Sequence, residues 1–162
     1  MPDKKVEPSS FLVTTNTSRT RLATEDEPAA SGEPSLSGVR ILLVEDSWHV
    51  ATAMTGLAKS AGMVVVGPAA TVAEAEQLLL SHALDVAVVD INLRGEQAYG
   101  LIDRLHAHGV PIVVASGYET HTSVENKVAA ILAKPFNAEA LLTTVHRIIA
   151  GARVRSRTPS FD

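Results

Sequence analysis

Cysteine is absent from this chain of 162 residues. That excludes disulfides, thiolate metal sites and cysteine nucleophiles, and it suits a reducing compartment. Aromatic residues are confined to one Trp, two Tyr and three Phe, too few for a surface that stacks nucleic-acid bases. Positive charge is not in surplus either. Fourteen Lys and Arg stand against 18 Asp and Glu, a net charge of -4, which opposes a phosphate-binding surface overall. No apolar run approaches the roughly 18 residues a membrane span needs, and the opening MPDKKVEPSSFLVTTN lacks a signal-type apolar block. The expectation is a cytoplasmic protein with no membrane contact.

What is present is one domain's worth of apolar sequence, 46% hydrophobic and 20% charged. Residues 1–37 are rich in Ser, Thr, Pro and Glu, without periodicity, and read as a disordered N-terminal tail. The apolar island Phe11-Leu12-Val13 within it is either a docking motif or an ordinary hydrophobic triplet. From about 38 to 150, β-rich apolar runs alternate with helical patterns five times. Val39 to Val44 is the first strand, ending in Glu45-Asp46, and Ser47 then offers a helix N-cap. The following helix turns Val50, Met54, Leu57, Ala58 and Ala61 inward. Met63 to Val66 is the second strand, broken by Gly67-Pro68. Thr71 and Glu74 have capping-box spacing and open a helix carrying Ala75, Leu78 and Leu79 toward the sheet.

The stretch Asp85 to Leu93 organises the rest. Val86 to Val89 is apolar throughout, as in a strand buried on both faces, and Asp90 ends it. A loop over Ile91 to Glu96 leads to a helix with Leu101, Ile102 and Leu105 inward, stopping near Gly109. Pro111 to Ala115 is the fourth strand and delivers Ser116-Gly117-Tyr118. A short helix is expected within 119–127, then a fifth strand over Ala130 to Ala133, then Lys134-Pro135-Phe136. Asn137 caps a last helix whose stripe is Ala138, Leu141, Leu142, Val145, Ile148 and Ile149.

This alternation implies an α/β fold, a doubly wound five-stranded parallel sheet of order 2-1-3-4-5, flavodoxin-like, in three α/β/α layers. The first and third strands then lie side by side, and their carboxyl ends bring Glu45, Asp46 and Asp90 together at the switch point. Like charges about 4 Å apart repel by roughly 4 kcal/mol at an effective dielectric near 20, so three carboxylates call for a cation. Oxygen ligands with room for phosphate oxygens suit Mg²⁺, with Mn²⁺ as an alternative. Ser116 adds a hydroxyl and Lys134 a point charge suited to phosphate. Singly, Ser116 reads as a turn residue, Lys134 as a surface lysine and Glu45-Asp46 as helix N-terminal charge. Their placement on successive strand ends is what points to a site.

These residues carry a resemblance. From about Val39 to Ala150 the chain resembles the receiver domain of two-component response regulators, by the acidic pair Glu45-Asp46, Asp90 ending the third strand, Ser116 ending the fourth and Lys134-Pro135 after the fifth. The resemblance implies transfer of a phosphoryl group from a phosphohistidine, on a sensor histidine kinase or a phosphotransfer protein, to Asp90. It implies Asp46 as direct Mg²⁺ ligand, Glu45 assisting, and Asp90 and the backbone carbonyl of Asn92 completing the metal site. Lys134 would pair with Asp90 and its phosphoryl group, Ser116 would bind a phosphoryl oxygen, and the bond before Pro135 would be cis. Such domains modify only themselves, so an enzyme with a separate substrate is not expected.

Departures from the family pattern carry information too. Where most receivers have an aromatic three residues before the lysine, this chain has Ile131. PIVVASGYE resembles a receiver subgroup with a threonine-glycine-tyrosine-like loop and no aromatic on the fifth strand, often found as stand-alone proteins in alphaproteobacteria. Tyr118 is therefore the candidate switch residue. After the last helix, 151–162 reads as a short basic tail, too short for a DNA-binding output domain, so action through a downstream protein partner is expected. Oligomeric state has no signature here. Rival readings are weaker. A receiver-like adaptor acting without phosphorylation predicts loss of Glu45, Asp46, Asp90 or Lys134. A haloacid-dehalogenase-type phosphatase wants an Asp where Asn92 stands, and a flavodoxin-like cofactor binder wants a Gly/Ser/Thr loop where the two acids stand.

Overall fold

The computed structural model describes residues 34–117 and 122–157, all within Gly32–Asp162, the second of two units into which the chain divides. Tyr118, the Phe11-Leu12-Val13 island and the rest of residues 1–33 lie outside the described residues, as do 158–162.

Five parallel strands form the sheet: β1 (Arg40–Val44), β2 (Val64–Ala69), β3 (Val86–Asp90), β6 (Ile112–Ser116) and β7 (Ala130–Ala133). Their order is β2-β1-β3-β6-β7, which is the expected 2-1-3-4-5 order, with β6 and β7 as the fourth and fifth strands. The numbers between belong to a small antiparallel hairpin, β4 (Asn92–Leu93) with β5 (Glu96–Gln97).

The continuous apolar runs follow from burial on both faces. In β1, Ile41 and Leu43 face one core, with Met54 and Ala58 of α1 (Trp48–Ser60) and Leu141, Val145 and Ile149 of α5 (Ala138–Arg157). Leu42 and Val44 face the other, with Ala75 and Leu79 of α2 (Val72–Ser81), Leu101, Ile102 and Leu105 of α3 (Tyr99–Ala107), and Val124 of α4 (Thr122–Glu125). Strand periodicity of two sends alternate residues to opposite layers. Among the described residues no helix is long and apolar enough to cross a membrane.

Caps sit where the sequence places them, with one change. Glu74 N–H donates to Thr71 Oγ1 at 3.2 Å, and Glu74 Oε2 takes the N–H of Ala70 at 2.8 Å. Asn137 Oδ1 accepts from Ala140 N–H at 2.8 Å. Ser47 stands at the N-cap of α1, but its side chain makes no cap bond. Its own N–H is held by Glu45 Oε1 at 2.9 Å instead.

Four boundaries differ from expectation. β2 runs on through Gly67-Pro68 to Ala69. As an edge strand it tolerates a proline, and the register shift between Leu42 and Val44 absorbs the irregular step. Gly67 is required there: its φ is +101°, and a Cβ would meet Leu43 O at 2.9 Å. At the N-terminal side, Leu36 is buried in the α1/α5 core, and the carbonyl of Pro34 meets His146 Nδ1 at 3.1 Å, so the ordered part starts before residue 38. At the other end α5 continues to Arg157, which puts most of the expected basic tail on a helix. The expected 91–96 loop is partly the β4–β5 hairpin.

Candidate functional site

β1 and β3 pair in register from Ile41↔Val86 to Val44↔Val89, so the residues that follow Val44 and Val89 emerge side by side. One carboxylate oxygen from each of Glu45, Asp46 and Asp90 lies within 4.8 Å of the others. Glu45 is almost wholly buried, 3% exposed. A buried carboxylate needs partners, and it has them: Ser47 N–H at 2.9 Å on Oε1 and Lys134 Nζ at 2.9 Å on Oε2.

Asp90 ends β3 with both oxygens engaged. Oδ1 accepts from Asn92 N–H at 3.0 Å, and Oδ2 from Lys134 Nζ at 2.7 Å. Asn92 Oδ1 in turn accepts from Gly95 N–H at 2.9 Å, which ties the hairpin to the strand end. Asp46 is the most open of the three acids in its bonding. Its Oδ2 takes the backbone N–H of Arg94 at 3.1 Å, with the Arg94 Nε 3.9 Å away.

Lys134 is brought in by β7. Its backbone N–H donates to Ser116 O at 2.8 Å, extending the β6–β7 pairing in which Ser116 stands opposite Ala133. The Lys134-Pro135 bond is cis. Burial works against the Lys134 ammonium, but its hydrogen bonds to Asp90 and Glu45, with their charge, outweigh that and hold its pKa above the ordinary value. Ser116 is buried at the end of β6, one residue past Ala115, the register partner of Asp90. The structure thus gathers Glu45, Asp90, Asn92 and Lys134 by direct hydrogen bonds, brings Asp46 within 4.8 Å of the other two acids, and sets Ser116 on the neighbouring strand end. Tyr118 lies outside the described residues.

Among the described residues, three carboxylates face only the Lys134 ammonium and the exposed Arg94 guanidinium, which leaves negative charge in excess, and every ligating atom is oxygen. That donor set fits a hard divalent cation of the Mg²⁺ type. Beside it a groove of about 630 Å³ runs between α1 and α5, lined by His49, Met54, Leu57, Lys134, Phe136 and Leu141. Arg94 is the site residue the sequence reading missed. Gly95 beside it hinted at a turn, but an arginine is not a residue that positive φ favours, so nothing in the sequence singled out Arg94 itself.

The model of the response regulator receiver domain family matches residues 41–146. Among solved structures, a CheY-like response regulator receiver domain protein from Methanospirillum hungatei JF-1 superposes with a TM-score of 0.68 at 22% identity, covering 74% of this chain and 99% of that one. The response regulator PhyR from Brucella abortus gives 0.67 at 21% identity, over 75% of this chain and 51% of that one. The non-phosphorylated HemR receiver domain from Leptospira biflexa gives 0.63 at 24%, over 69% and 94%. At these identities the likeness speaks to fold. A comparison with curated proteins finds no match. With the family match spanning the sheet from β1 to the middle of α5, and the acidic strand ends and Lys134 gathered at one edge, the chain belongs to the response regulator receiver domain family.

Proposed function

We propose that this protein is a response regulator that accepts a phosphoryl group on Asp90 from a sensor histidine kinase or a phosphotransfer protein. Mg²⁺ is its cofactor, and it signals to a downstream protein through a surface that phosphorylation alters. The observation that carries the reading is Asp90 itself. Its two oxygens are aimed by Asn92 N–H and Lys134 Nζ, at 3.0 and 2.7 Å, beside two further carboxylates.

Asp46, Glu45, Asp90 and the Asn92 backbone carbonyl are the groups that would hold Mg²⁺, with Mn²⁺ as a substitute. The bound ion supplies charge neutralisation and in-line alignment for phosphoryl oxygens. An Asp90 oxygen forms a bond to phosphorus while the P–N bond of the donor phosphohistidine breaks, the imidazole nitrogen keeping the electron pair. Lys134 moves its hydrogen bond to the arriving phosphoryl oxygens, and the Ser116 hydroxyl donates a second. Positioning and charge do the catalysis. Hydrolysis of the acyl phosphate by water resets the protein. The new charge and acceptor oxygens bias a two-state surface. Its output face is α4, β7 and α5, where Ile131 is 40% exposed. Tyr118 is the residue that would couple phosphorylation to the 119–127 segment.

The test is intact mass after incubation with acetyl phosphate, with and without Mg²⁺, for wild type and Asp90→Asn. One phosphoryl gain, requiring both Mg²⁺ and Asp90, is expected. A folded wild type that gains nothing from acetyl phosphate or phosphoramidate would overturn the reading in favour of an adaptor that works unphosphorylated.

A further inference from the structure

Arg94 is the one non-glycine residue at positive φ among the described residues, at 53°, and Gly95 beside it is at 88°. The two form the turn between β4 and β5. Both central positions of such a turn need positive φ, which Asn, Asp and Gly adopt readily and a long side chain does not. The backbone gives no reason for an arginine here. The side chain does.

The turn folds over the acidic trio. Arg94 N–H donates to Asp46 Oδ2 at 3.1 Å, and Nε of the same residue lies 3.9 Å from that oxygen. The side chain is 72% exposed, so it is anchored by its main chain and open to solvent at its charged end. Lys134, the other cation paired with the trio among the described residues, is already divided between Glu45 and Asp90. Arg94 is thus the cation available at the mouth of the site, and its planar fork of N–H groups matches phosphate oxygens in pairs.

We infer that Arg94 is a phosphodonor-binding residue: its guanidinium leaves Asp46 and grips the non-bridging oxygens of the incoming phosphoryl group. The inference rests on the reading that Asp90 is the acceptor. With acetyl phosphate, an Asp90 oxygen bonds phosphorus, the P–O bond to the acetyl group breaks, and acetate leaves with the electron pair. Arg94 makes no covalent bond and exchanges no proton. It supplies charge and aim before the transfer, and in the resting protein it competes with a metal ion for Asp46.

Full-length wild type, Arg94→Gly, Arg94→Gln and Arg94→Lys are compared with acetyl phosphate and Mg²⁺ over a range of salt. Glycine suits the turn and keeps the N–H that bonds Asp46, so the fold and that contact survive. The second-order phosphorylation rate should fall about tenfold in the Gly and Gln variants at low salt, as for a lost charge-assisted contact. The gap should narrow as salt rises, and lysine should recover part of the rate. Mg²⁺ affinity, followed by Trp48 fluorescence without any phosphodonor, should rise about twofold as a weak exposed competitor is removed. Gly and Gln variants that react like wild type, or a loss indifferent to salt, overturn the inference while leaving Asp90 as acceptor. A wild type that does not react overturns the underlying reading, and this inference with it.

Discussion

Lys134 holds two carboxylates at once, its Nζ 2.9 Å from Glu45 Oε2 and 2.7 Å from Asp90 Oδ2. The Glu45 side chain is only 2% exposed, so this ammonium is the counter-charge that makes the buried acid tolerable. Replacing Lys134 with Met keeps the stem and removes the charge. Stability in metal-free urea titrations should drop by about 3 kcal/mol, as when a buried pair loses one partner. Millimolar Mg²⁺ should restore part of it. An unchanged midpoint would mean that the pairing contributes nothing.

Asp46→Asn should act with the opposite sign. Asp46 adds a third like charge and, among the described residues, is paired only with an exposed Arg94. Removing it should raise metal-free stability by about 1 kcal/mol, the low end for like charges at such spacing. It should also abolish the stabilisation by Mg²⁺. The two variants read out one electrostatic arrangement from both sides.

Trp48 opens α1, two residues after Asp46, and is 72% exposed. Its fluorescence should change on Mg²⁺ titration of wild type and stay flat in Asp46→Asn. A flat response in a wild type that binds Mg²⁺ by calorimetry would show that the start of α1 does not sense the site.

At the opposite end of β3, Asp85 receives Arg40 N–H at 2.8 Å and Arg40 Nε at 3.1 Å. The side-chain hydrogen bond from Arg40 leads in holding the Asp85 pKa below its ordinary 3.8, with burial opposing. A depressed carboxyl adds stability above its unfolded pKa and loses it as pH falls through the lower folded value. Acid unfolding should therefore include an Asp85 contribution below about pH 4 that Asp85→Asn lacks. Lys134, with a raised pKa, contributes fully below 10.5 and loses that contribution only as pH climbs past it. Neutral-pH stability should be insensitive to either titration, as a urea series across pH would show.

Gly67→Ala should cost about 2 kcal/mol in urea unfolding, since it forces a strained φ and a backbone clash together. The 2.9 Å approach to Leu43 O sits in the edge-strand pairing, away from Asp90, so phosphorylation by acetyl phosphate should persist in the folded fraction.

The helical stripes and the two-faced strands were legible because each is a periodic signal several residues long. Leu101, Ile102 and Leu105 are all fully buried where the 3.6-residue period places them. What was illegible was short or set by tertiary pairing. Leu36 is one apolar residue between serines and has no period. β4 and β5 have two residues each. Gly67-Pro68 carries a breaker signal that pairing with β1 overrides. The far turns of α5 hold Gly151 and several arginines, which dilute the apolar stripe. In the site, the acids and the lysine were legible as residue types at strand ends. Arg94 was not, because its place depends on a turn conformation and not on a pattern.

β3 has charged residues at both extremities, Asp85 before it and Asp90 at its end. Five residue steps along the strand set them roughly 17 Å apart, beyond the range at which substitutions without shared partners couple. Substitutions at the two poles should therefore combine additively. Changes in stability made around Arg40 and Asp85 should accumulate without altering the chemistry proposed for Asp90. Among the described residues the two ends share no partner, Asp85 holding Arg40 and Asp90 holding Asn92 and Lys134, so one end of the molecule is free to drift while the other is held.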